Sequence, residues 1–248
     1  LKDLAGTIND MLEHIDTAYR SQIRFVSDAS HELRTPIAVI QGYANLLDRW
    51  GKNDPQTLQE SIAALKAESE NMEELVEKLL FLARGNNNTL TLRMEPLYVD
   101  RLVRLLARET AMIDKSHTFR ITREDHLAVV ADAQLLKQAL RILIDNSIKY
   151  TPAGNEITIG CTADPDRMVR ITVQDTGIGI PAADVPHVFD RFYRADESRT
   201  RATGGAGLGL SIAKWIVERH SGRIEVLSRQ GFGTRMSILL PPVSDKAG

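Results

Sequence analysis

The sequence has little cysteine, few aromatic residues and no excess of charge of either sign. Its single cysteine, Cys161, excludes an internal disulfide and a zinc site built from cysteines. The 31 basic residues nearly balance the 33 acidic ones, which argues against a nucleic-acid-binding protein, because such proteins usually carry a strong basic excess. An apolar run of about 18 residues and a recognisable signal peptide are also lacking, so no segment is predicted to cross a membrane.

Two apolar seams near the start of the chain predict a pair of long helices. The seams run over residues 23–47 and 58–83, with apolar positions alternately three and four residues apart. Residues 50–55 interrupt the pattern, and Asp54 followed by Pro55 is typical of a helix N-cap with proline in the first turn. A lone helical hairpin cannot cover both seams, so the sequence predicts a homodimer that forms an antiparallel four-helix bundle.

The rest of the chain has a mixed pattern. After a linker-like run at 84–89, amphipathic stretches predict helices at 99–113, 133–150 and 208–220. Alternating stretches predict strands at 117–121, 156–161, 168–173, 223–228 and 234–240. We therefore expect an α/β sandwich after the hairpin. The expected divisions are a relay helix at 1–20, the hairpin at 21–85, a linker at 86–93, the α/β domain at 94–243 and a tail at 244–248.

A histidine beside the first seam is a candidate nucleophile. His31 follows the seam residue Ser30, so its side chain should face solvent, and Thr35 shares its face of the helix. Pro36 removes one backbone hydrogen bond and should bend the helix beside this histidine. A neutral imidazole is a competent nucleophile near pH 7. Glu32 is the candidate proton acceptor, although adjacent helical residues do not ordinarily face each other. From spacing alone, an ordinary surface histidine remains the alternative.

Two polar motifs in the α/β domain suit a nucleotide. Asn146 and Lys149 share a face near a helix end, and an amide oxygen beside an ammonium group suits a metal-bound polyphosphate. Asp175 follows a predicted strand and can accept a hydrogen bond from an exocyclic amine. The neighbouring Gly177 and Gly179 let the backbone approach a flat base. Taken singly, each motif has a plain structural alternative, a polar helix end or a turn.

A glycine-rich run at 204–211 opens a predicted helix, where free N–H groups can bind phosphate. It lacks the Lys-Ser/Thr pair of a P-loop, and it does not open an early βαβ unit as a dinucleotide-binding motif would. Before it lies a charged segment, 189–203, that is either a mobile lid or an ordinary surface loop.

In this fixed order, the motifs resemble those of a sensor histidine kinase core. Residues 25–36 are similar to the H box, 145–151 to the N box, 175–180 and 204–210 to the two glycine boxes, and 189–194 to the F box. Residues 1–18 are similar to the end of a HAMP signal-relay module. The resemblance implies a dimeric helical hairpin followed by an α/β sandwich with the Bergerat fold, which gyrase, mismatch-repair and heat-shock ATPases share.

The resemblance also implies roles for individual residues. His31 would accept the phosphoryl group, Glu32 would be its acid/base partner, and Thr35 would place water for dephosphorylation of a partner. Asn146 would bind Mg²⁺, and Arg194 would reach the γ-phosphate of ATP. The remaining ATP-binding residues implied in this way are Lys149, Tyr150, Asp175, Gly177, Gly179, Ile180, Thr203, Gly205, Ala206, Gly207, Leu208 and Gly209.

Two positions depart from the family pattern. Ile142 stands where a second asparagine is usual, four residues before the Mg²⁺ ligand, and Ala206 stands where threonine is frequent. Each departure removes one polar contact near the triphosphate, so we expect an effect on affinity and rate. Two alternatives stay open: a Bergerat ATPase that drives a conformational cycle, and a non-catalytic relative that only dimerises and binds nucleotide.

The expected activity is that of a protein-histidine kinase. His31 would be phosphorylated by ATP, and the phosphoryl group would pass to an aspartate of a response regulator receiver domain, with a phosphatase activity toward the same partner as a further expectation. The chain begins with Leu1 rather than Met. We expect it to be the cytoplasmic portion of a bacterial inner-membrane protein whose transmembrane segment lies upstream.

Overall fold

The computed structural model describes residues 2–50, 54–86, 90–195 and 205–243, except for a few side chains near the start of the first helix and that of residue 86. The chain divides into two compact units, residues 1–83 and 84–248. In the described part of the chain, no helix combines the length and the apolar character needed to cross a membrane.

The first unit is helical. Helix α1 spans Lys2–Trp50 and continues through Pro36, and helix α2 spans Pro55–Asn86. The predicted cap of α2 is confirmed, because a carboxylate oxygen of Asp54 accepts hydrogen bonds from the backbone N–H groups of Gln56, at 3.0 Å, and Thr57, at 3.4 Å. The two predicted long helices are thus present, with the interruption where the sequence placed it.

The two helices leave much of their apolar seams exposed. Ile37 of α1 and Ile62 and Val76 of α2 each keep more than a third of their surface accessible. A groove in this unit is lined by Ile40, by Met72 and Val76, and by neighbouring polar side chains.

The second unit combines short helices and strands. In chain order its described elements are β1 Glu95–Tyr98, α3 Val99–Ile113, β2 Thr118–Glu124, β3 Ala128–Ala131, α4 Ala133–Tyr150, β4 Glu156–Ala163, β5 Val169–Asp175, a 3-10 turn Val185–His187, α5 Gly209–Arg219, β6 Arg223–Arg229 and β7 Gly233–Leu240.

These strands form one main sheet in the order β2-β4-β5-β7-β6. Strands β2 and β4 are parallel, and the other neighbours are antiparallel. Helix α3 packs against β2 and β4, α4 against β5, and α5 against β6 and β7. The expected α/β sandwich after a helical hairpin is therefore confirmed.

Most predicted elements have nearly the predicted bounds, but one small ladder was not predicted. Strands β1 and β3 pair antiparallel, with Leu97 opposite Val129. Each has only four residues, which is too short for an alternating pattern to stand out from a loop.

Apolar side chains fill the space between helices and sheet. Along β5 the buried residues alternate, from Val169 through Ile171 to Val173, as expected when one face of a strand meets a helical layer. The single thiol, Cys161 on β4, lies in this core. Burial raises the pKa of the Cys161 thiol to about 11, and nearby acidic groups such as Asp100 act in the same direction.

Candidate functional site

Asp175 is the last member of the buried row on β5. Because side chains alternate along a strand, the pattern that buries Val173 also turns Asp175 inward. One carboxylate oxygen accepts a hydrogen bond from the Ser147 hydroxyl of α4 at 3.1 Å. The other accepts from the backbone N–H groups of Gly177, at 2.9 Å, and Thr234, at 3.1 Å.

Burial raises the pKa of Asp175, and the hydrogen bonds from Gly177, Thr234 and Ser147 oppose this rise. The three donors come from the loop after β5, from β7 and from α4, so they hold the carboxylate in one orientation. A fixed acidic acceptor at the mouth of the core suits recognition of an exocyclic amine on a flat base.

The loop after β5 requires its glycines. A Cβ on Gly177 would lie 2.3 Å from the carbonyl oxygen of Tyr150. Gly179 has a φ of +68°, and a Cβ there would lie 2.1 Å from the carbonyl oxygen of Arg229. The loop is thus squeezed between the end of α4 and the β6–β7 turn.

Hydrogen bonds hold this loop on both sides. The Ile178 N–H donates to the Tyr150 carbonyl at 3.0 Å, and the Ile178 carbonyl accepts from Gly231 at 2.7 Å. The Ile180 N–H donates to the hydroxyl of Ser228 at 2.8 Å, and that hydroxyl also bonds Thr234 at 2.8 Å. The sequence motif around 175–180 is therefore a rigid loop rather than a free turn.

The last turns of α4 carry the predicted phosphate-binding side chains. Asn146 is partly buried. The ammonium nitrogen of Lys149 lies 5.1 Å from the centre of the Tyr150 ring and 3.2 Å from the position that a Cβ on Gly205 would take. Lys149 therefore reaches the second glycine-rich loop, as the phosphate-binding interpretation requires.

Tyr150 and Arg194 interact electrostatically. Burial raises the pKa of Tyr150, and the positive charge of Arg194 acts against this rise. Tyr150, the predicted adenine-stacking residue, and Arg194, the predicted γ-phosphate contact, therefore lie close enough at the end of α4 to interact.

The second glycine-rich loop is tied to the segment before it. Gly207, at a φ of +70°, accepts a hydrogen bond from the Phe192 N–H at 3.0 Å, and a Cβ on it would lie 2.8 Å from the Phe192 backbone. Ala206 is partly buried and Leu208 is buried in the core. The predicted contact Thr203 lies outside the described residues.

Ile142, the departure from the family pattern, contacts the start of α5. Its Cγ2 lies 3.3 Å from the position of a Cβ on Gly209. The apolar side chain thus fills space between α4 and α5 where a polar side chain was expected, and glycine at 209 permits this close approach.

The donor set fits Mg²⁺ bound together with a polyphosphate. Asn146 offers one amide oxygen, and the described residues contain no group of three or more His, Cys, Asp or Glu side chains that could enclose a metal by themselves. Mg²⁺ keeps several waters and often takes one or two protein ligands plus substrate phosphates. A single amide oxygen near Lys149 is consistent with that mode of binding.

The histidine motif lies on α1, in the first unit. His31 and Thr35 are exposed, and Glu32 is partly buried. The hydroxyl of Ser30, the seam position, donates to the Val26 carbonyl at 2.7 Å. His31 thus presents its imidazole to solvent, as its place beside the seam predicts.

Some residues of the site were not predicted. Ser147 and Thr234 bond Asp175, and Ser228 bonds the loop after it. A signal for Ser147 exists, since it continues the buried row of Leu140 and Leu143 as a polar side chain at a core position of α4. Thr234 ends the run 231–234, which is similar to the closing glycine turn of the family, but nothing in that run indicates a bond to Asp175. Ser228 belongs to no recognisable motif and reaches the site through sheet pairing.

Comparison with known families identifies both parts of the chain. Residues 131–244 match the model of the histidine kinase-, DNA gyrase B- and HSP90-like ATPases, and residues 21–88 match the His Kinase A phospho-acceptor domain. The chain belongs to the histidine kinase family. The first matched segment contains Asn146, Asp175 and the glycine-rich loops, and the second contains His31.

Individual relatives agree with this assignment. The chain is 39% identical over 238 residues to the sensor histidine kinase YkoH of Bacillus subtilis, covering 96% of this chain and 52% of that protein. It is 39% identical over 244 residues to the signal transduction histidine-protein kinase ArlS of Staphylococcus epidermidis, with the same coverage. The chain thus spans about half the length of these curated relatives. The Acinetobacter baumannii histidine kinase AdeS shares the fold, with a TM-score of 0.66 at 24% identity, over 86% of this chain and 98% of that one.

Proposed function

We propose that this chain is the catalytic core of a sensor histidine kinase, which phosphorylates its own His31 with ATP and then transfers the phosphoryl group to an aspartate of a response regulator receiver domain. One observation carries the proposal. An exposed histidine in a phospho-acceptor segment shares a chain with an ATPase-type site whose Asp175 is held by three donors.

The second unit would bind the nucleotide. Asp175 would accept a hydrogen bond from the adenine amine, and the ring of Tyr150 would stack on the base. The ammonium group of Lys149 would neutralise phosphate charge, and Arg194 would approach the γ-phosphate. The backbone N–H groups of the glycine-rich loop at the start of α5 suit phosphate oxygens, because a helix N-terminus attracts anions.

Asn146 would hold Mg²⁺ through its amide oxygen. Bound there, the ion would neutralise charge on the phosphates and help align the γ-phosphoryl group. Ile142 removes one polar side chain from this region, which we expect to affect affinity and rate rather than the reaction itself.

In the proposed reaction, a ring nitrogen of neutral His31 attacks the γ-phosphorus. A nitrogen–phosphorus bond forms, and the bond between that phosphorus and the bridging oxygen breaks, so ADP leaves with the electron pair. Glu32 accepts the proton of the other ring nitrogen, which keeps the ring nucleophilic. Such a step gains mainly from positioning and charge neutralisation. In the reverse role, Thr35 would orient water toward a phosphorylated partner.

A homodimer is part of this proposal. The exposed apolar side chains on α1 and α2 need a partner surface, and a second copy provides a matching one. We further propose that the chain works on the cytoplasmic side of a bacterial inner membrane, where ATP is available, and that it contacts the membrane only through an upstream segment.

Incubation with γ-labelled ATP and Mg²⁺ tests the proposal. We expect an acid-labile, alkali-stable label on the wild-type chain and none on His31→Gln. His126→Gln is the matched control, because it removes another exposed imidazole outside the hairpin, and it should be labelled normally.

Three other outcomes would redirect or refute the proposal. ATP binding without label on any variant would favour the non-catalytic relative. Phosphate release without label would favour an ATPase that drives a conformational cycle. Label on both His31→Gln and the wild type would refute the assignment of His31.

A further inference from the structure

A second histidine, His117, is buried beside the end of α4. It lies between α3 and β2, and its side chain is 5% exposed. One ring nitrogen, Nδ1, lies 2.5 Å from a carboxylate oxygen of Asp114, whose side chain is 9% exposed. The other, Nε2, lies 2.8 Å from the carbonyl oxygen of Thr151, the residue that caps α4.

These partners determine the charge of the ring. A backbone carbonyl and an ionised carboxylate only accept hydrogen bonds, so both ring nitrogens must carry protons and His117 must be an imidazolium. Although burial alone would raise the pKa of Asp114, hydrogen bonds from Ser116 and His117 lower it to about 2. Burial alone would likewise lower the pKa of His117, but Asp114 and the Thr151 carbonyl raise it.

Thr151 connects this ion pair to the nucleotide site. It follows Tyr150 directly, and its hydroxyl oxygen lies 2.9 Å from the position of a Cβ on Gly177. The same turn is tied to the histidine segment by two backbone hydrogen bonds, from Gly154 to Ser116 at 2.7 Å and from Thr118 to Asn155 at 3.0 Å. A cation here is also favoured because carbonyl groups end the helix with partial negative charge.

The groups in contact with the His117 ring determine where a change in its charge would act. Asp114 is the charged side chain that acts on His117 within the described part of the chain. The remaining neighbours are the Thr151 carbonyl, the Ser116 hydroxyl at 3.3 Å and the edge of the Phe119 ring. A change in the charge of His117 would therefore be felt at Asp114 and at Thr151.

We propose that His117, kept charged by Asp114, is a positioning residue for the nucleotide site: it holds the Thr151 carbonyl and thereby the end of α4 that carries Asn146, Lys149 and Tyr150. Loss of one ring proton removes the donor to Thr151 or to Asp114, and the end of α4 loosens. Nucleotide affinity should then fall as the pH rises. The inference rests on the proposed function only in that the second unit binds ATP.

Direct titration of the full chain with the fluorescent analogue trinitrophenyl-ATP and Mg²⁺ tests this role. The wild type should keep its affinity while the His117 ring is doubly protonated and lose it as the pH rises through the folded-state pKa of His117, which lies above the ordinary value of about 6.5. His117→Gln should bind about five- to tenfold more weakly at neutral pH, because one neutral NH₂ group replaces two charged N–H donors that point to different acceptors. Its pH profile should be flat apart from the titration of the nucleotide itself.

Asp114→Asn separates positioning from plain structural support. This variant keeps the His117 ring but removes the negative charge beside it, so the ring should lose its proton, and the protein its nucleotide affinity, at a lower pH. A variant that only damages the structure would lower the affinity equally at every pH. His220→Gln is the matched control, because His220 is also buried in this unit but bonds the Ile216 carbonyl and the Asp132 N–H instead. It should leave the pH profile of the wild type in place.

Nitrogen NMR of the histidine rings provides a measurement that needs no variant to fold. At pH 7 the His117 ring should show two protonated nitrogens. A neutral ring, or normal affinity and pH profile in folded His117→Gln, would overturn the inference. Failure of the wild type to bind the analogue would instead count against the proposed function.

Discussion

The two units of this chain differ in how completely each buries its apolar surface. In the second unit, the β5 residue Val173 is 1% exposed, under helix α4. In the first unit, Ile62 lies on an apolar seam of α2 and is 53% exposed. The second unit therefore encloses a core of its own, whereas the helical unit leaves its apolar seams open to a further surface. Because the proposed ATP site and the proposed dimer surface lie on different units, we expect that each can be disrupted without loss of the other.

The largest expected effect concerns Asp175. Asp175→Ala removes the acceptor for the base and leaves the donors Ser147 and Thr234 unpaired, so we expect nucleotide affinity to fall about 100-fold. Analytical ultracentrifugation should find the dimer unchanged. A variant that binds nucleotide normally would contradict the assigned role of this carboxylate, and a variant that dissociates would contradict the independence of the two units.

The converse experiment places a charge in the apolar seam of α2. Val76→Glu should raise the dissociation constant of the proposed dimer at least about tenfold, because the interface would bury a carboxylate without a partner. Nucleotide affinity should not change. Gln59→Glu adds the same charge at an exposed position of the same helix that lies outside the apolar seam, and it should leave dimerisation intact. Equal effects of the two variants would mean that this seam is not the interface.

A smaller effect is expected from acid, which should remove the stability that the ionised Asp114 contributes to the second unit. The folded-state pKa of Asp114 is about 2, below its ordinary value of 3.8, so its contribution to stability is present above pH 3.8 and is lost as the pH falls toward 2. Asp114→Asn should therefore lower the free energy of unfolding of the second unit by about 1–3 kcal/mol at neutral pH.

That difference from the wild type should shrink between pH 4 and pH 2, as followed by chemical denaturation at each pH. A constant difference down to pH 2 would show that the charge of Asp114 is not what stabilises the fold. Helix α1, which lacks this ion pair, should give the same unfolding signal in both proteins.

The smallest expected effect is that of Gly42→Ala, and the same substitution at Gly177 should act more strongly and with the opposite sign. Gly42 lies within α1 with nothing near its missing Cβ, so Gly42→Ala should stabilise the helical unit by up to about 1 kcal/mol. Gly177→Ala should destabilise the second unit, because its Cβ would overlap the Tyr150 carbonyl. Thermal unfolding followed by circular dichroism checks both, and a lowered midpoint for Gly42→Ala would contradict the open environment of that glycine.

Local patterns predicted much of this fold. Helices α3 and α4 have the bounds that their amphipathic periodicity predicts, Val99–Ile113 and Ala133–Tyr150. The cap at Asp54 also follows from neighbouring residues alone. In contrast, the ladder between β1 and β3 and the parallel pairing of β2 with β4 join segments far apart in sequence, where local periodicity carries no information.

The same limit applies to the candidate site. Asp175, Gly177 and Gly179 could be predicted from one contiguous motif, and His31 could be predicted from another. Two of the three hydrogen-bond donors to Asp175 could not be predicted, because Ser147 and Thr234 stand 28 and 59 residues away along the chain. No sequence pattern singles out His117 either, since its role depends on a hydrogen bond to the carbonyl of Thr151, 34 residues further along the chain.

The buried thiol of Cys161 has a practical consequence. With its pKa raised to about 11, the thiol stays protonated at pH 7. Maleimide dyes should therefore not react with Cys161 in the folded protein. A cysteine introduced at an exposed position can be labelled selectively while the native residue stays in place, so that fluorescence can report on movements of the chain during turnover.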